Sequence, residues 1–218
     1  HVRDGDMGTV FGSCREVVGA AHVPRVHAQR HEAPGPGPPR WVRRPPGSPL
    51  RKIGCGTGAE YGTPKRWLPE RFAEVTAAVS KQGFAEWVLV GTEKDAPVGA
   101  IIAEKLGDGC VNRIGQTTLD QLIAELRECA LLLTNDTGTM HLATLLGVPV
   151  VAIFGSTEPS LTGPLGSGHR VLRHQVECSP CFLRECPIDF RCMHAVTVDE
   201  VVAAVVEALA AASARSTQ

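Results

Sequence analysis

The segment 131–164 constrains the fold of this 218-residue chain more than any other part of it. It consists of a short apolar run, a polar turn, a helical pattern and a second apolar run. The first run, 130–133, is short enough for a buried strand, and the cluster 135–138 carries the capping residues that start helices. Gly147 ends the helical pattern and Pro149 precedes the second strand. This order predicts a polar turn at the carboxyl end of a parallel strand, where open α/β sheets bind ligands.

The polar turn has the features of an anion-binding site. The backbone N–H groups near Thr137 and Gly138 have no intrahelical partner, and the helix dipole adds partial positive charge there. His141 follows Gly138 by three positions and can project towards the same opening. Asp136 repels an anion but suits the hydroxyl groups of a sugar. The plainer alternative is a capped helix of an ordinary α/β unit, with His141 partly buried.

The rest of the chain beyond residue 52 alternates between strand and helix patterns. An alternating order favours an α/β fold, a Rossmann-like parallel sheet with helices on both faces. The predicted strands are 52–55, 87–90, 111–114, 130–133 and 150–154. The predicted helices are 69–82, 98–106, 119–129, 140–146 and 198–212.

Residues 1–51 differ in composition from the domain predicted at 52–218. The stretch 23–50 is crowded with Pro, Arg, His and Gly and shows neither helical nor alternating periodicity. Dense proline removes backbone donors and prevents regular helix, so we predict an irregular, disordered or polyproline-like segment. The alternative hypothesis is that these residues are not natural sequence of the domain, as after truncation or a frame shift.

Composition excludes several classes of function. The net charge of −1 gives no general affinity for polyanions, so we expect no nucleic-acid partner. No run approaches 18 apolar residues, and the amino terminus lacks the basic and apolar regions of a signal peptide. We therefore expect a cytoplasmic protein. The chain begins with His1 rather than Met, which is consistent with a fragment.

Three segments together resemble a known family. The stretch TNDTGTMHLATLLGVPVVAIFGSTEP at 134–159 resembles the signature of glycosyltransferase family 9, the lipopolysaccharide heptosyltransferases. Upstream, residues 58–62 and 65–67 resemble the family segment that ends in Lys-Arg-Trp, and 162–164 supply a third match. The resemblance covers about residues 53–210 and is closest to the heptosyltransferase II branch.

The resemblance implies a fold, a reaction and a set of site residues. The fold would be the C-terminal, nucleotide-sugar-binding domain of a GT-B glycosyltransferase. The reaction would be inverting transfer of heptose from ADP-heptose to the lipopolysaccharide inner core, with the enzyme at most peripheral to the cytoplasmic face of the inner membrane. The implied catalytic residues are Lys65 and Asp136. The implied donor-binding residues are Lys65, Arg66, Glu93, Asp136, Thr137, Gly138 and His141.

The implied roles follow from the charge that develops on a diphosphate leaving group. Lys65 or Arg66, together with the helix N-terminus, would stabilise that charge in place of a divalent metal, so we expect no cofactor for transfer. Lys65 and Arg66 could otherwise be a solvated surface pair. Glu93 falls where the family carries an acidic residue that could hold the adenosine ribose, and Asp95 competes for that role.

The chain departs from the family pattern in several places. Thr57 stands where proline is usual, and Pro64 where alanine is usual. The family carries its general base and acceptor site in an N-terminal half of similar size, which this sequence does not recognisably contain. We therefore expect this chain to bind the donor, but this expectation does not extend to catalytic turnover.

Four of the eight cysteines form the pattern Cys178-x2-Cys181-x4-Cys186-x5-Cys192. Without a secretion signal, disulfides are not the default. The spacing can hold Zn²⁺ or an iron–sulfur cluster, although it is tighter than a usual two-knuckle zinc site. The alternative is a set of free or buried thiols that pack a loop near the donor site.

Two other functions stay open at the level of sequence. A GT-B enzyme that uses another nucleotide sugar would share the fold and the anion-binding turn. A non-catalytic binding module, stabilised by a four-cysteine metal site, would bind no nucleotide and would unfold when the metal is removed.

Overall fold

The computed structural model of the chain describes residues 51–83 and 85–215. These residues form one six-stranded sheet in the order β3-β2-β1-β4-β5-β6, and every neighbouring pair is parallel. The strand order reverses between β1 and β4, which makes that position the topological switch point of the sheet. The strands are β1 (Arg51–Gly56), β2 (Ala85–Val90), β3 (Cys110–Asn112), β4 (Leu131–Asn135), β5 (Val150–Ile153) and β6 (Arg170–Leu172).

Helices cover both faces of the sheet. Successive side chains of a strand point to opposite faces, so Leu131 and Leu133 pack in one apolar cluster and Leu132 in the other. Helices α1, α2 and α7 pack on the first face, and α3 and α4 on the second. No described helix has the length and apolar character needed to cross a membrane. The helices are α1 (Pro69–Lys81), α2 (Ala96–Leu106), α3 (Leu119–Glu128), α4 (Gly138–Leu145), α5 (Pro159–Thr162), α6 (Arg191–His194) and α7 (Val198–Arg215).

This architecture confirms the predicted α/β class, with differences at the ends of elements. Strand β1 already begins at Arg51, which was assigned to the irregular segment, while the predictions for residues 1–50 lie outside the described residues. Strand β3 ends at Asn112 rather than 114, because the Asn112 side chain accepts the Ile114 N–H at 3.0 Å. Elements β6, α5 and α6 were not predicted, since three or four residues are too short to show a hydrophobic period.

The buried cysteines of the sheet are expected to resist alkylation. Burial raises the pKa of Cys110 to about 11 and that of Cys129 to about 12, and it also raises the pKa of the fully buried Cys55. The thiolate is the reactive form, so at pH 8 these thiols should react on the order of a hundredfold more slowly with iodoacetamide than in urea. Peptide mass spectrometry measures both rates. Equal labelling with and without urea would contradict this burial.

Candidate functional site

A polar cleft of about 240 Å³ opens at the carboxyl edge of the sheet, beside the switch point. The loops that follow β1 and β2, the start of α3 and the turn before α4 line it. Carboxyl ends of parallel strands meet at this edge, so residues distant in sequence share one opening. The lining residues are Gly56, Gly58, Ala59, Glu60, Arg66, Val90, Gly91, Thr92, Asp95, Gly115, Thr117, Thr118, Leu119, Leu122, Thr137 and Thr139.

Asn135, the last residue of β4, ties the loop after β1 to the sheet. Its Oδ1 accepts the backbone N–H of Trp67 at 3.1 Å, and its Nδ2 donates to the backbone oxygen of Thr57 at 2.7 Å. The side chain is fully buried, so water is not available to replace these partners. The segment that carries Lys65 and Arg66 is thus held in place by an amide side chain on the neighbouring strand.

Trp67 anchors the segment that carries Lys65 and Arg66 through contacts in the core. Its indole is 1% exposed, packs edge-on against Phe72 with ring centroids 5.1 Å apart, and donates from Nε1 to the Val196 oxygen at 3.1 Å. Arg71 donates to the same Val196 oxygen at 2.6 Å. The tryptophan of the Lys-Arg-Trp segment is therefore a core residue that positions the two cations preceding it.

Lys65 and Asp136 form a largely buried ion pair next to the cleft. Lys65 Nζ lies 2.7 Å from Asp136 Oδ2, and the two side chains are 12% and 3% exposed. The same carboxylate oxygen accepts hydrogen bonds from the hydroxyls of Thr157 at 2.7 Å and Thr162 at 3.2 Å. Charge-assisted hydrogen bonds of this kind are short and strong. The pairing excludes a solvated surface role for Lys65.

The N-terminus of α4 lies directly after Asp136. Thr137 is its N-cap residue, with an extended backbone at φ −151° and ψ 165°, and it lines the cleft. Gly138 is exposed, and beyond its chain neighbours and its own helix no heavy atom lies within 4 Å of the position that a Cβ would occupy there. The start of α4 is therefore open beside Gly138, and the positive end of the helix dipole lies at this end of the helix, where helices bind anions.

Arg66 and Asp95 form a second charged pair, which lines the cleft itself. Arg66 Nη1 lies 3.2 Å from Asp95 Oδ1, while Asp95 Oδ2 accepts the Thr92 N–H at 3.0 Å. Glycines at 58 and 91 give this carboxylate room, because a Cβ there would lie 2.5 Å and 2.9 Å from its Oδ2. A buried carboxylate held so tightly provides a fixed acceptor next to a guanidinium.

The remaining predicted site residues lie further from the opening. Glu93 is exposed in the turn between β2 and α2 and does not line the cleft, whereas its competitor Asp95 does. His141 is half-buried on the first turn of α4 and also does not line the cleft. Of the residues predicted to bind the donor, Arg66 and Thr137 line the cleft, and Lys65, Asp136 and Gly138 are their chain neighbours.

The Cys loop, residues 178–192, packs against two loops of the site. The N–H groups of Cys181 and Phe182 donate to the Ser156 oxygen at 3.0 Å and 2.9 Å. Tyr61 donates from its hydroxyl to the Phe182 oxygen at 3.1 Å, and the Arg184 guanidinium lies 4.9 Å from the Tyr61 ring centroid. The loop therefore bridges the segments after β1 and β5.

The four thiols of the Cys loop are free. Burial raises the pKa of Cys192, and the neighbouring Cys178, Cys181 and Cys186 raise it further. Among residues 51–83 and 85–215, no group of three or more His, Cys, Asp and Glu side chains is placed to hold a metal ion. The predicted four-cysteine metal site is therefore not found as a ligand cluster in this part of the chain.

Three site residues were not singled out from the sequence. Asn135 was interpreted only as part of a capping cluster, and Thr157 and Thr162 only as parts of a polar loop and a family match. Asn135 is a short polar side chain at the end of a buried strand, and that is a signal the sequence contains. Thr157 lies in the loop between β5 and α5, and Thr162 ends α5, so neither has such a signal. Their partners are far along the chain, so the pattern alone does not reveal the contacts.

Comparison with known proteins gives consistent matches. A family model described as glycosyltransferase family 9 (heptosyltransferase) matches residues 27–190. The lipooligosaccharide heptosyltransferase 2 of Haemophilus influenzae is 37% identical over 125 residues, which is 56% of this chain and 36% of the relative. The lipopolysaccharide heptosyltransferase 2 of Escherichia coli K12 is 38% identical over the same length, with the same coverage.

Solved structures give the same result. The ADP-heptose lps heptosyltransferase II of E. coli superposes with a TM-score of 0.63 and 31% identity, over 73% of this chain and 46% of that one. A family 9 glycosyl transferase from Veillonella parvula superposes with the same TM-score and coverage at 26% identity. The chain spans about a third of the length of these curated relatives and about half of these solved chains.

Proposed function

The chain belongs to glycosyltransferase family 9, as its sequence resemblance indicated, and on this premise we propose that residues 52–218 are the nucleotide-sugar-binding half of a heptosyltransferase. The donor is ADP-heptose and the acceptor is the lipopolysaccharide inner core. The observation that carries the proposal is the Lys65–Asp136 pair beside the open N-terminus of α4, at the switch point of the sheet. This arrangement offers one cation, one helix dipole and one carboxylate to a ligand that has both phosphates and hydroxyls.

The proposed donor lies with its nucleoside in the cleft and its diphosphate at the start of α4. The threonine hydroxyls and the Asp95 carboxylate that line the cleft suit the polar edges of a nucleoside. Arg66 and Thr137 line the same cleft, so the diphosphate would reach both the guanidinium and the helix N-terminus. The sugar would extend past Lys65 towards the carboxylate of Asp136. In this placement Asp95 takes the ribose role in preference to Glu93, and His141 borders the diphosphate end.

The proposed transfer breaks the bond between the anomeric carbon and a diphosphate oxygen and forms a bond to an acceptor hydroxyl. The leaving diphosphate gains negative charge, which Lys65, Arg66 and the helix N-terminus stabilise from fixed positions. These groups supply the charge that a divalent metal would otherwise supply, so no metal is proposed for transfer. The acceptor proton goes to a base that belongs, with the acceptor site, to the N-terminal half of such an enzyme.

Binding of nucleotides tests the proposal directly. Isothermal titration of the full chain with ADP is expected to show one site, and UDP and GDP should bind at least about tenfold more weakly, because polar groups that pair with one base are left unpaired by another. Equal affinity for the three would indicate a GT-B enzyme that uses another nucleotide sugar. A folded chain that binds none of them would contradict the proposal.

Elemental analysis of the same sample addresses the second candidate, a binding module held together by the Cys loop. Removal of metal by a chelator should leave the thermal unfolding midpoint and ADP affinity of the chain unchanged if the loop is packed by thiols. Bound zinc or iron at one equivalent, with unfolding on chelation and no nucleotide binding, would favour the module.

The location of the enzyme follows from its proposed substrate. An acceptor that is part of a lipid-anchored saccharide requires the enzyme to work at a membrane surface. We therefore propose a cytoplasmic protein that contacts the inner membrane only peripherally. Flotation of the chain with vesicles of anionic lipid measures this contact.

A further inference from the structure

Among the residues that the structure describes, one oxygen of the Asp136 carboxylate makes all of its hydrogen bonds and its ion pair. Lys65 Nζ, Thr157 Oγ1 and Thr162 Oγ1 all approach Oδ2, at 2.7, 2.7 and 3.2 Å. Oδ1 accepts no hydrogen bond from any residue within 51–83 and 85–215. The two threonines therefore orient the carboxylate so that one oxygen is saturated and the other remains an open acceptor.

The hydrogen bonds to Asp136 Oδ2 are important because Lys65 has two binding partners in the proposed function, Asp136 and the diphosphate. It neutralises a carboxylate that is 3% exposed, and in the proposed complex it turns to a diphosphate. A buried charge that loses its partner incurs a large desolvation penalty unless other groups satisfy it. Without further donors, Asp136 would hold Lys65 back from the ligand.

We propose that Thr157 and Thr162 are positioning residues that keep Asp136 Oδ2 hydrogen-bonded when Lys65 turns to the diphosphate, and that present Oδ1 to a hydroxyl of the ligand. The inference rests on the proposed function, since it assumes that the site binds a diphosphate. Neither threonine touches the reacting atoms. Each threonine acts by holding the Asp136 carboxylate, and this allows Lys65 to leave that carboxylate for the diphosphate.

Hydrogen bonds and an ion pair hold the segment that carries the two threonines. Thr157 is 4% exposed and follows Ser156, whose oxygen is clamped by two N–H groups of the Cys loop. Thr162 is the last residue of α5, the short helix that Glu158 caps by accepting the Ser160 N–H. Arg173 holds Glu158 by an ion pair of 3.0 Å between Nη1 and Oε2. Both hydroxyls thus reach Asp136 from a segment whose one charged side chain, Glu158, is paired with Arg173.

The test compares ADP with adenosine in titrations of matched variants. Thr157→Val keeps the shape of the side chain and removes its hydroxyl, which should weaken ADP binding roughly tenfold, since hydrogen bonds to charged groups are worth more than neutral ones. Adenosine lacks the diphosphate, so its affinity should not change. Thr157→Ser restores the hydroxyl and should return ADP affinity near the original value. Thr76→Val is the control, because Thr76 is fully buried on α1 and bonds only the Ala73 oxygen.

Each outcome decides between distinct possibilities. If the original chain binds ADP and both Thr157→Val and Thr162→Val bind it equally well, the positioning role is wrong and the proposed function stands. If ADP and adenosine affinities fall together, the threonines are structural and the inference is again wrong. If the original chain binds no ADP, the proposed function fails first and the inference fails with it. Thr162→Val, at a less buried position, replaces Thr157→Val should the latter not fold.

Discussion

Replacement of Lys65 by Ala is expected to weaken ADP binding by about 100-fold. A 100-fold loss corresponds to about 2.8 kcal/mol of binding free energy, which lies in the range of about 1.5–3 kcal/mol for a hydrogen bond to a charged group. Lys65 Nζ is the cation next to the open N-terminus of α4, so its loss removes positive charge where the diphosphate would lie. Isothermal titration of the variant with ADP measures the change.

The matched control for this substitution is Lys52→Ala. Lys52 also forms ion pairs, with Glu125 and Glu128, but it lies near the amino end of β1, away from the cleft. Its loss should leave ADP affinity unchanged, because partly exposed ion pairs contribute at most about 1 kcal/mol to stability and this pair does not face the ligand.

Asp136→Ala should weaken ADP binding less than Lys65→Ala does, because it removes the group that orients Lys65 but leaves the positive charge of Lys65 in place. Unchanged affinity in both Lys65→Ala and Asp136→Ala would refute the assignment of the site.

Replacement of Asn135 by Ala is expected to lower the free energy of unfolding by about 2–6 kcal/mol, because each of two buried groups left without a partner costs about 1–3 kcal/mol. The substitution leaves the Trp67 N–H and the Thr57 oxygen unsatisfied in a region that water does not reach. Urea denaturation followed by tryptophan fluorescence measures the loss. The variant should also bind ADP more weakly, since the segment with Lys65 and Arg66 is no longer held.

Asn112→Ala provides the comparison for Asn135→Ala. Asn112 is exposed at the end of β3, and its side chain accepts one N–H from Ile114. Water can replace that bond, so the variant should lose less than about 1 kcal/mol of unfolding free energy. Similar losses in both variants would show that Asn135 does not act as a buried link between the two strand ends.

The parts of the fold that could be predicted are those whose signal is local. The three leucines of β4 form a continuous apolar run, because both faces of a central parallel strand are buried. The helix that starts at Gly138 is another local signal, because the capping residues lie directly before it in the chain. Strand β6 could not be predicted, because its three residues lie at an edge where Arg170 and Val171 face solvent.

The predictions for the site divide in the same manner. The turn between β4 and α4 could be predicted, since the capping residues, the glycine and the helical pattern are adjacent in the chain. Its binding of an anion stays a prediction. The choice between Glu93 and Asp95 could not, because the two carboxylates are two positions apart and differ only in the direction they face. The cleft side belongs to Asp95, which the Thr92 N–H and Arg66 hold there.

The sequence by itself determined the class of fold, the position of the strand–turn–helix unit and the family, because each depends on patterns that neighbouring residues carry. Only the tertiary structure decided which polar groups meet. Asn135 holds the Thr57 oxygen from 78 positions away, and Lys65 reaches Asp136 because β1 and β4 pair side by side at the switch point. Such contacts depend on the register and order of the strands, which no local pattern encodes. They place a buried ion pair beside the N-terminus of α4.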